Sequence, residues 1–388
     1  MNTYLFQFGI KPDISLAELQ ALTKNARITQ VLPTIFSVDL ENDVTARDLQ
    51  DRLGGTIKVI RHCSYIEQPN PESLLEIVTH TLLAEQADGK IVYAVSELGR
   101  DHLPQINAVA VKERLANLGR SAQYKDGSRH GLSAAVLLHK AKLLEIYVIS
   151  NGESTSVGVT ISVQNIDDWT NRDRNKPYAD AKKGMLPPKL ARMMVNIGLG
   201  AVSKEKPILL DPFCGSGTVL IEALASCSKV YGSDLDLDSV KGTRENLEWF
   251  CEDYELENTS DISLADSTKV QVDTPVDLIV TEPFLGKPKP NAAHVPNVLR
   301  GLEKLYKGSF KNWKHLLTEN GVVVMVFPRI EITLESGKIV SYDMHSFVDS
   351  LAEMGYTTIS KPLVYSRPLA VVQREIFVLR YSTQTKEN

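Results

Sequence analysis

The residues with the clearest chemical capacity form one run, Leu210-Asp211-Pro212-Phe213-Cys214-Gly215-Ser216-Gly217-Thr218, set between an apolar strand-like segment and the helical pattern Val219 to Ala225. Glycines in a strand-to-helix turn let the backbone approach a ligand closely, with the positive end of the helix behind it. The turn is therefore a ligand cradle. It is no dinucleotide fingerprint, because Leu220 takes the place of the third glycine of GxGxxG, and no P-loop, because no Gly-Lys-Ser/Thr follows. Other chemistries find little support. His130, His139 and His345 stand alone, without metal-ligand spacing, so no metal is expected. Cys214 reads as a small packed residue rather than a nucleophile.

In its strand-turn-helix setting the string Asp211 to Thr218 resembles the first motif of S-adenosylmethionine-dependent methyltransferases, particularly those that modify exocyclic amines of nucleobases. On that resemblance Asp211, Phe213, Gly215, Gly217 and Thr218 line a cofactor site. Asp234 ends the next strand and is placed to accept from the ribose hydroxyls. Asp266, after the third, is placed to accept from the adenine amino group. Asp236 and Asp238 read as solvated or helix-capping. Amino-methyltransferases carry Asp/Asn-Pro-Pro-aromatic after the fourth strand, where this chain has Thr281-Glu282-Pro283-Phe284-Leu285-Gly286. Acceptors there draw the amine protons out of the ring plane, and an aromatic ring clamps the base. Anchored on Gly286, Glu282 takes the acidic position. Anchored on Phe284, the aromatic is kept and Thr281 replaces the acid. The reading adopted gives the acceptor role to Glu282 and the carbonyl ahead of Pro283, and stacking to Phe284.

Elements must hold these turns at one place. Short apolar strands near 207–210, 229–233, 276–281 and 321–327, separated by helical patterns, indicate a doubly wound parallel sheet of Rossmann-like type. The N-terminal order is different. A strand at 3–8, a helix opened by Ser15 as its cap, strands at 34–40 and 56–65 and a helix at 45–53 give a ferredoxin-like split unit. Beyond Pro69 and Pro71 a second α/β segment follows, with helices at 72–86 and 105–118 and strands at 91–96 and 145–149. The expected organisation is a ferredoxin-like domain over 1–66, a second small α/β domain over 67–166, a linker over 167–185 and a catalytic domain over 186–388.

The 388 residues suit two or three domains. Forty-three basic against 48 acidic side chains give a net charge of −5, which argues against binding nucleic acid by bulk electrostatics. The charge is segregated: residues 101–150 hold seven Lys/Arg against four Asp/Glu, and so do 167–192. Four unpaired cysteines, no leader-like N-terminus and no long apolar run suggest a cytosolic protein without membrane association.

Together with Gly184-Met185-Leu186-Pro187-Pro188-Lys189-Leu190-Ala191 and the opening strand and helix, these motifs make the chain similar to the THUMP-domain RNA methyltransferases, in particular the tRNA guanine-10 N2-methyltransferase group. The resemblance implies a THUMP region that docks tRNA, with Arg120, Lys125, Arg129, Lys140 and Lys142 as candidate contacts, and it allows a small activating subunit. Two other readings share the fold: a nucleotide-dependent oxidoreductase, and a tRNA-binding protein whose altered strand-four turn no longer catalyses.

Overall fold

The structure is a computed structural model that describes residues 1–388 apart from 10, 25, 100–105, 127–130, 141, 153, 181–184, 334–336, 368–369 and 384–388. It divides into two compact units, residues 1–15 with 25–168 and residues 16–24 with 169–388.

The chain opens with β1 (Asn2–Phe8), α1 (Pro12–Leu22), β2 (Ile28–Leu32), β3 (Ile35–Leu40), α2 (Asp43–Arg52) and β4 (Thr56–Ile66), of which α1 from Leu16 onward belongs to the second unit and the rest to the first. Their antiparallel order β2-β3-β1-β4 is the ferredoxin-like arrangement. Ser15 is not the cap of α1. The helix begins at Pro12, whose fixed φ suits a first turn, and the Ser15 hydroxyl donates to the Lys11 carbonyl instead. Asn42 caps α2 by accepting from the Thr45 N–H.

The sheet does not end at residue 66. It continues as β8-β7-β5-β6, drawn from α3 (Pro71–Glu85), β5 (Ile91–Gly99), α4 (Ala108–Asn117), β6 (Ala122–Tyr124), α5 (Ala134–Leu138), β7 (Leu143–Ser150) and β8 (Thr155–Val163). β8 pairs with β4 from Val163 opposite Lys58 to Thr155 opposite Ile66, so the segments expected as separate domains share one sheet. A buried polar knot ties them further. Glu145 accepts from Lys58 Nζ (2.7 and 3.0 Å), Ser96 Oγ (2.8 Å), Thr160 Oγ1 (2.8 Å) and the Leu132 N–H (2.7 Å). A buried carboxylate is tolerable only when paired and bonded in this way.

The stretch expected as a linker is folded through Lys176. It forms α6 (Ile166–Thr170) and a π-helical turn, Asn171–Asn175. Arg172 within it is buried, its guanidinium 4.6 Å from the Trp169 ring centre and 5.4 Å from that of Tyr254. Glu222 supplies the counter-charge, pairing with Arg172 at 2.8 Å and Arg192 at 2.7 Å.

The rest of the second unit runs α7 (Pro188–Ala201), β9 (Ile208–Asp211), α8 (Thr218–Leu224), β10 (Lys229–Asp234), α9 (Leu237–Asp253), β11 (Ser260–Leu264), β12 (Val276–Thr281), α10 (Val295–Trp313), β13 (Leu317–Thr333), β14 (Ile339–Tyr342), α11 (His345–Ser350), β15 (Tyr356–Thr358), β16 (Leu363–Tyr365) and β17 (Val372–Tyr381). The sheet order is β11-β10-β9-β12-β13-β17-β15, parallel through β13, with β17 antiparallel. Strands covered on both faces read as continuous apolar runs, hence the legible Leu278-Ile279-Val280 and Val322-Val323-Val324. Their core joins Ile279 and Val323 to Tyr306, Phe310 and Trp313 of α10. The chain winds outward from β9 and returns beside it at β12, which makes the carboxyl ends of β9 and β12 a topological switch point, the usual ligand crevice of such sheets.

Candidate active site

The glycine turn leaves β9 at that switch point. Asp211 is 2% exposed, and its Oδ1 accepts from the Phe213 N–H (3.1 Å) and the Thr281 hydroxyl (2.6 Å). The second bond joins the end of β9 to the end of β12. Burial pushes the Asp211 carboxyl up to about 7, against the pull of those two donors. Gly215 and Gly217 have φ of +52° and +78°, left-handed values that favour glycine. A Cβ on Gly215 would meet nothing within 4 Å, whereas one on Gly217 would come within 2.9 Å of the Thr243 methyl. The turn is thus open at one glycine and packed at the other, as suits a backbone that approaches a ligand. Phe213 packs against the core and Thr218 is buried at the first turn of α8. Cys214 is buried, and burial raises its thiol well above the ordinary range, consistent with a packing role.

Neighbouring elements hold the turn in shape. Thr243 Oγ1 donates to the Gly215 carbonyl (2.7 Å), and Asn246 Nδ2 donates to the carbonyls of Ser216 (2.8 Å) and Tyr178 (2.9 Å). The Tyr178 ring rests where a Cβ on Gly242 would stand. Lys176, 5% exposed, brings its ammonium to 3.3 Å from Thr218 Oγ1 and 3.5 Å from Ser216 Oγ. Burial lowers its pKa, against the charges of Asp173 and Glu222 nearby. Sequence reasoning missed Lys176 and Tyr178 because they lie in the presumed linker. The only local signal was the basic run itself.

Asp234 stands at the tip of β10, where its Oδ2 accepts from the Gly215 N–H and its Oδ1 from the Asp236 N–H, each at 3.0 Å. It therefore also pins the glycine turn. Asp236 caps α9 through the Ser239 N–H. Asp266, two residues past β11, accepts from the Thr268 N–H (2.8 Å), a bond that lowers its pKa. Leu264 lies opposite Asp234 in register and is 54% exposed, and Leu235 is 69% exposed. Two bare leucines beside two acids offer an apolar surface with polar handles.

At the tip of β12, Thr281 and Pro283 are buried and Phe284 is 62% exposed. The Tyr306 hydroxyl donates to the Phe284 carbonyl (2.6 Å), and Gly286 has φ +90°. Glu282 is gripped by Arg374: Nε donates to Oε2 at 2.9 Å and Nη2 to Oε1 at 2.8 Å. Arg374 had no sequence signal, lying 92 residues away on β17. The structure brings Asp211, Phe213, Gly215, Gly217, Thr218, Asp234, Glu282, Pro283 and Phe284 to one edge of the sheet, with Asp266 just past the end of β11.

The basic residues belong to the first unit. Arg120 donates to the carbonyls of Gln86 (2.7 Å) and Gly89 (3.2 Å), which ties its guanidinium to a turn. Lys125 is half-buried, Lys140 and Lys142 are exposed, and Arg129 lies outside the described residues. Among the described residues, no group of three His, Cys, Asp or Glu side chains could hold a metal, and no helix is long and apolar enough to cross a membrane.

Residues 176–336 match the family described as UPF0020: RMKL-like, methyltransferase domain. A tRNA (guanine(10)-N2)-dimethyltransferase from Methanothermobacter thermautotrophicus is 36% identical over 154 residues, 39% of this chain and 41% of that relative. One of the same name from Methanocaldococcus jannaschii is 31% identical over 189 residues, 45% of this chain and 49% of the relative. The matched regions thus span under half of either relative. TrmN from Thermus thermophilus superposes with a TM-score of 0.57 at 17% identity, over 98% of this chain and 99% of that one. A putative methyltransferase complexed with SAH gives 0.55 at 11% identity over the whole of both chains. The fold is Rossmann-like, of the methyltransferase type, with a mixed α/β N-terminal region.

Proposed function

We propose that this chain transfers a methyl group from S-adenosylmethionine to an exocyclic amine of an RNA base, guanine N2 in tRNA. The observation that carries the reading is the Thr281 to Asp211 hydrogen bond, which fixes the glycine turn and the strand-four turn side by side at the switch point. S-adenosylmethionine, when bound, supplies a methyl carbon on a sulfonium whose sulfur keeps the bonding pair as the methyl leaves. The open backbone at Gly215 and the carboxylate of Asp234 suit its ribose, and Leu235, Leu264 and Asp266 suit its adenine. Lys176, with the Ser216 and Thr218 hydroxyls, suits its carboxylate.

Glu282 and the carbonyl ahead of Pro283 accept the amine hydrogens, aligning the nitrogen lone pair with the methyl carbon. Phe284 stacks on the base. One amine proton is released to water as the N–C bond forms. In this reading the first unit is the THUMP-bearing tRNA dock, with Lys125, Lys140 and Lys142 meeting phosphates, and the protein works in the cytoplasm. The relatives' names support the choice of tRNA guanine, and the family match to residues 176–336 supports methyl transfer.

Incubation with unmodified tRNA and methyl-labelled S-adenosylmethionine, followed by nucleoside mass spectrometry, tests the proposal. N2-methylated guanosine is expected. Binding of tRNA without transfer would favour a non-catalytic RNA-binding protein, and nicotinamide-dependent redox activity would favour an oxidoreductase.

A further inference from the structure

The carboxylate expected to face the amine is one methylene longer than the aspartate or asparagine usual at that place, and so has one more rotatable bond. Something must fix it. β13 pairs with β12 at Met325 opposite Thr281 and then runs on beyond the end of β12. β17 follows it antiparallel and sets Arg374 opposite Pro328, three residues past Met325. That register delivers a guanidinium into the space beyond strand four, where its Nε and Nη2 each donate to Glu282. The pair is only 17% and 15% exposed on its side chains, so water competes little for it. The neighbouring Glu375 is spent elsewhere, on His345 Nε2 at 2.9 Å, with Arg329 3.9 Å away.

We infer that Arg374 is a positioning residue: its fork holds the plane of the Glu282 carboxylate so that the lone pairs it leaves free meet the amine of the substrate base. A carboxylate offers about four lone-pair sites, and Arg374 takes two, one on each oxygen. Each oxygen retains one for an amine hydrogen. The inference rests on the methyl-transfer reading above and adds to it a residue that compensates for the longer acid.

The test uses the full chain with unmodified tRNA. R374Q lowers kcat at least 10-fold while the S-adenosylmethionine Kd by calorimetry and the tRNA KM stay within threefold. R374K, a point charge without the fork, keeps under a third of wild-type kcat. In an E282Q background R374Q costs less than a further twofold, because the group it positions is already impaired. The inference is overturned if R374Q turns over within twofold of wild type, if its loss is equally large in the E282Q background, or if the loss lies in Kd or KM. Should R374Q fold poorly, R374K decides, and full turnover overturns the proposal. A wild-type chain that transfers no methyl overturns the functional reading and this inference together. An active wild type with an unaffected R374Q overturns this inference alone.

Discussion

Replacing Asp211 by asparagine separates charge from hydrogen bonding at the centre of the site. Asparagine keeps an oxygen to accept from the Thr281 hydroxyl and the Phe213 N–H, and it removes an ionisable group that is 2% exposed. The ordinary carboxyl value of 3.8 rises to about 7 in the folded chain, chiefly through desolvation, with the charges of Asp234 and Glu282 adding to it. Between those values the folded state binds the proton more tightly than the unfolded state, so stability falls as pH rises through this range. Below 3.8 both states are protonated and the carboxyl costs nothing. Above 7 the full penalty is present, which at 1.36 kcal/mol per pH unit comes to about 4 kcal/mol. Asp211→Asn should therefore match the wild type near pH 4 and exceed it at pH 8, with a midpoint raised by about 10 °C for a unit of this size. Thermal unfolding at pH 4.5, 6, 7 and 8, followed by circular dichroism, reads the difference. A gap between variant and wild type that stays constant across this range would refute the reasoning. Weaker cofactor binding by the stabler variant would mark a group retained for function at the expense of stability.

Three further outcomes follow from the site. Glu282→Ala should lower turnover 10²-fold or more with S-adenosylmethionine affinity nearly intact, the scale of losing a preorganised polar group, and equal loss in both assays would remove it from the amine-facing role. Asp234→Ala should weaken cofactor binding by about 1–3 kcal/mol in calorimetry, through the ribose and through the released Gly215 N–H. An unchanged titration would exclude that assignment. Lys176→Met should leave the melting temperature equal or higher, since a buried ammonium is removed, while raising the cofactor Kd about 10-fold, some 1.4 kcal/mol. A lower melting temperature with unchanged affinity would make Lys176 a structural tether instead.

The glycine turn, the acids at the tips of β10 and β11, and the alternation of strand and helix were legible in the sequence because each depends on residues adjacent in the chain. A strand reads as apolar, a left-handed position reads as glycine, and a helix start reads from its cap. The same locality misled at Ser15, where a cap-like residue lies inside a helix already begun by Pro12. It misled at 167–176 as well, where the polar run read as a linker although Arg172 is buried, because its counter-charge, Glu222, sits on a helix some 50 residues further on. Only the folded sheet decided that β8 would cover the edge of β4 and merge two expected domains into one layer. It alone decided that β13, by outrunning β12, would let β17 bring Arg374 to Glu282. Turn chemistry is set by a residue's own backbone, whereas an ion pair across strands is set by register, which exists only once distant segments have paired.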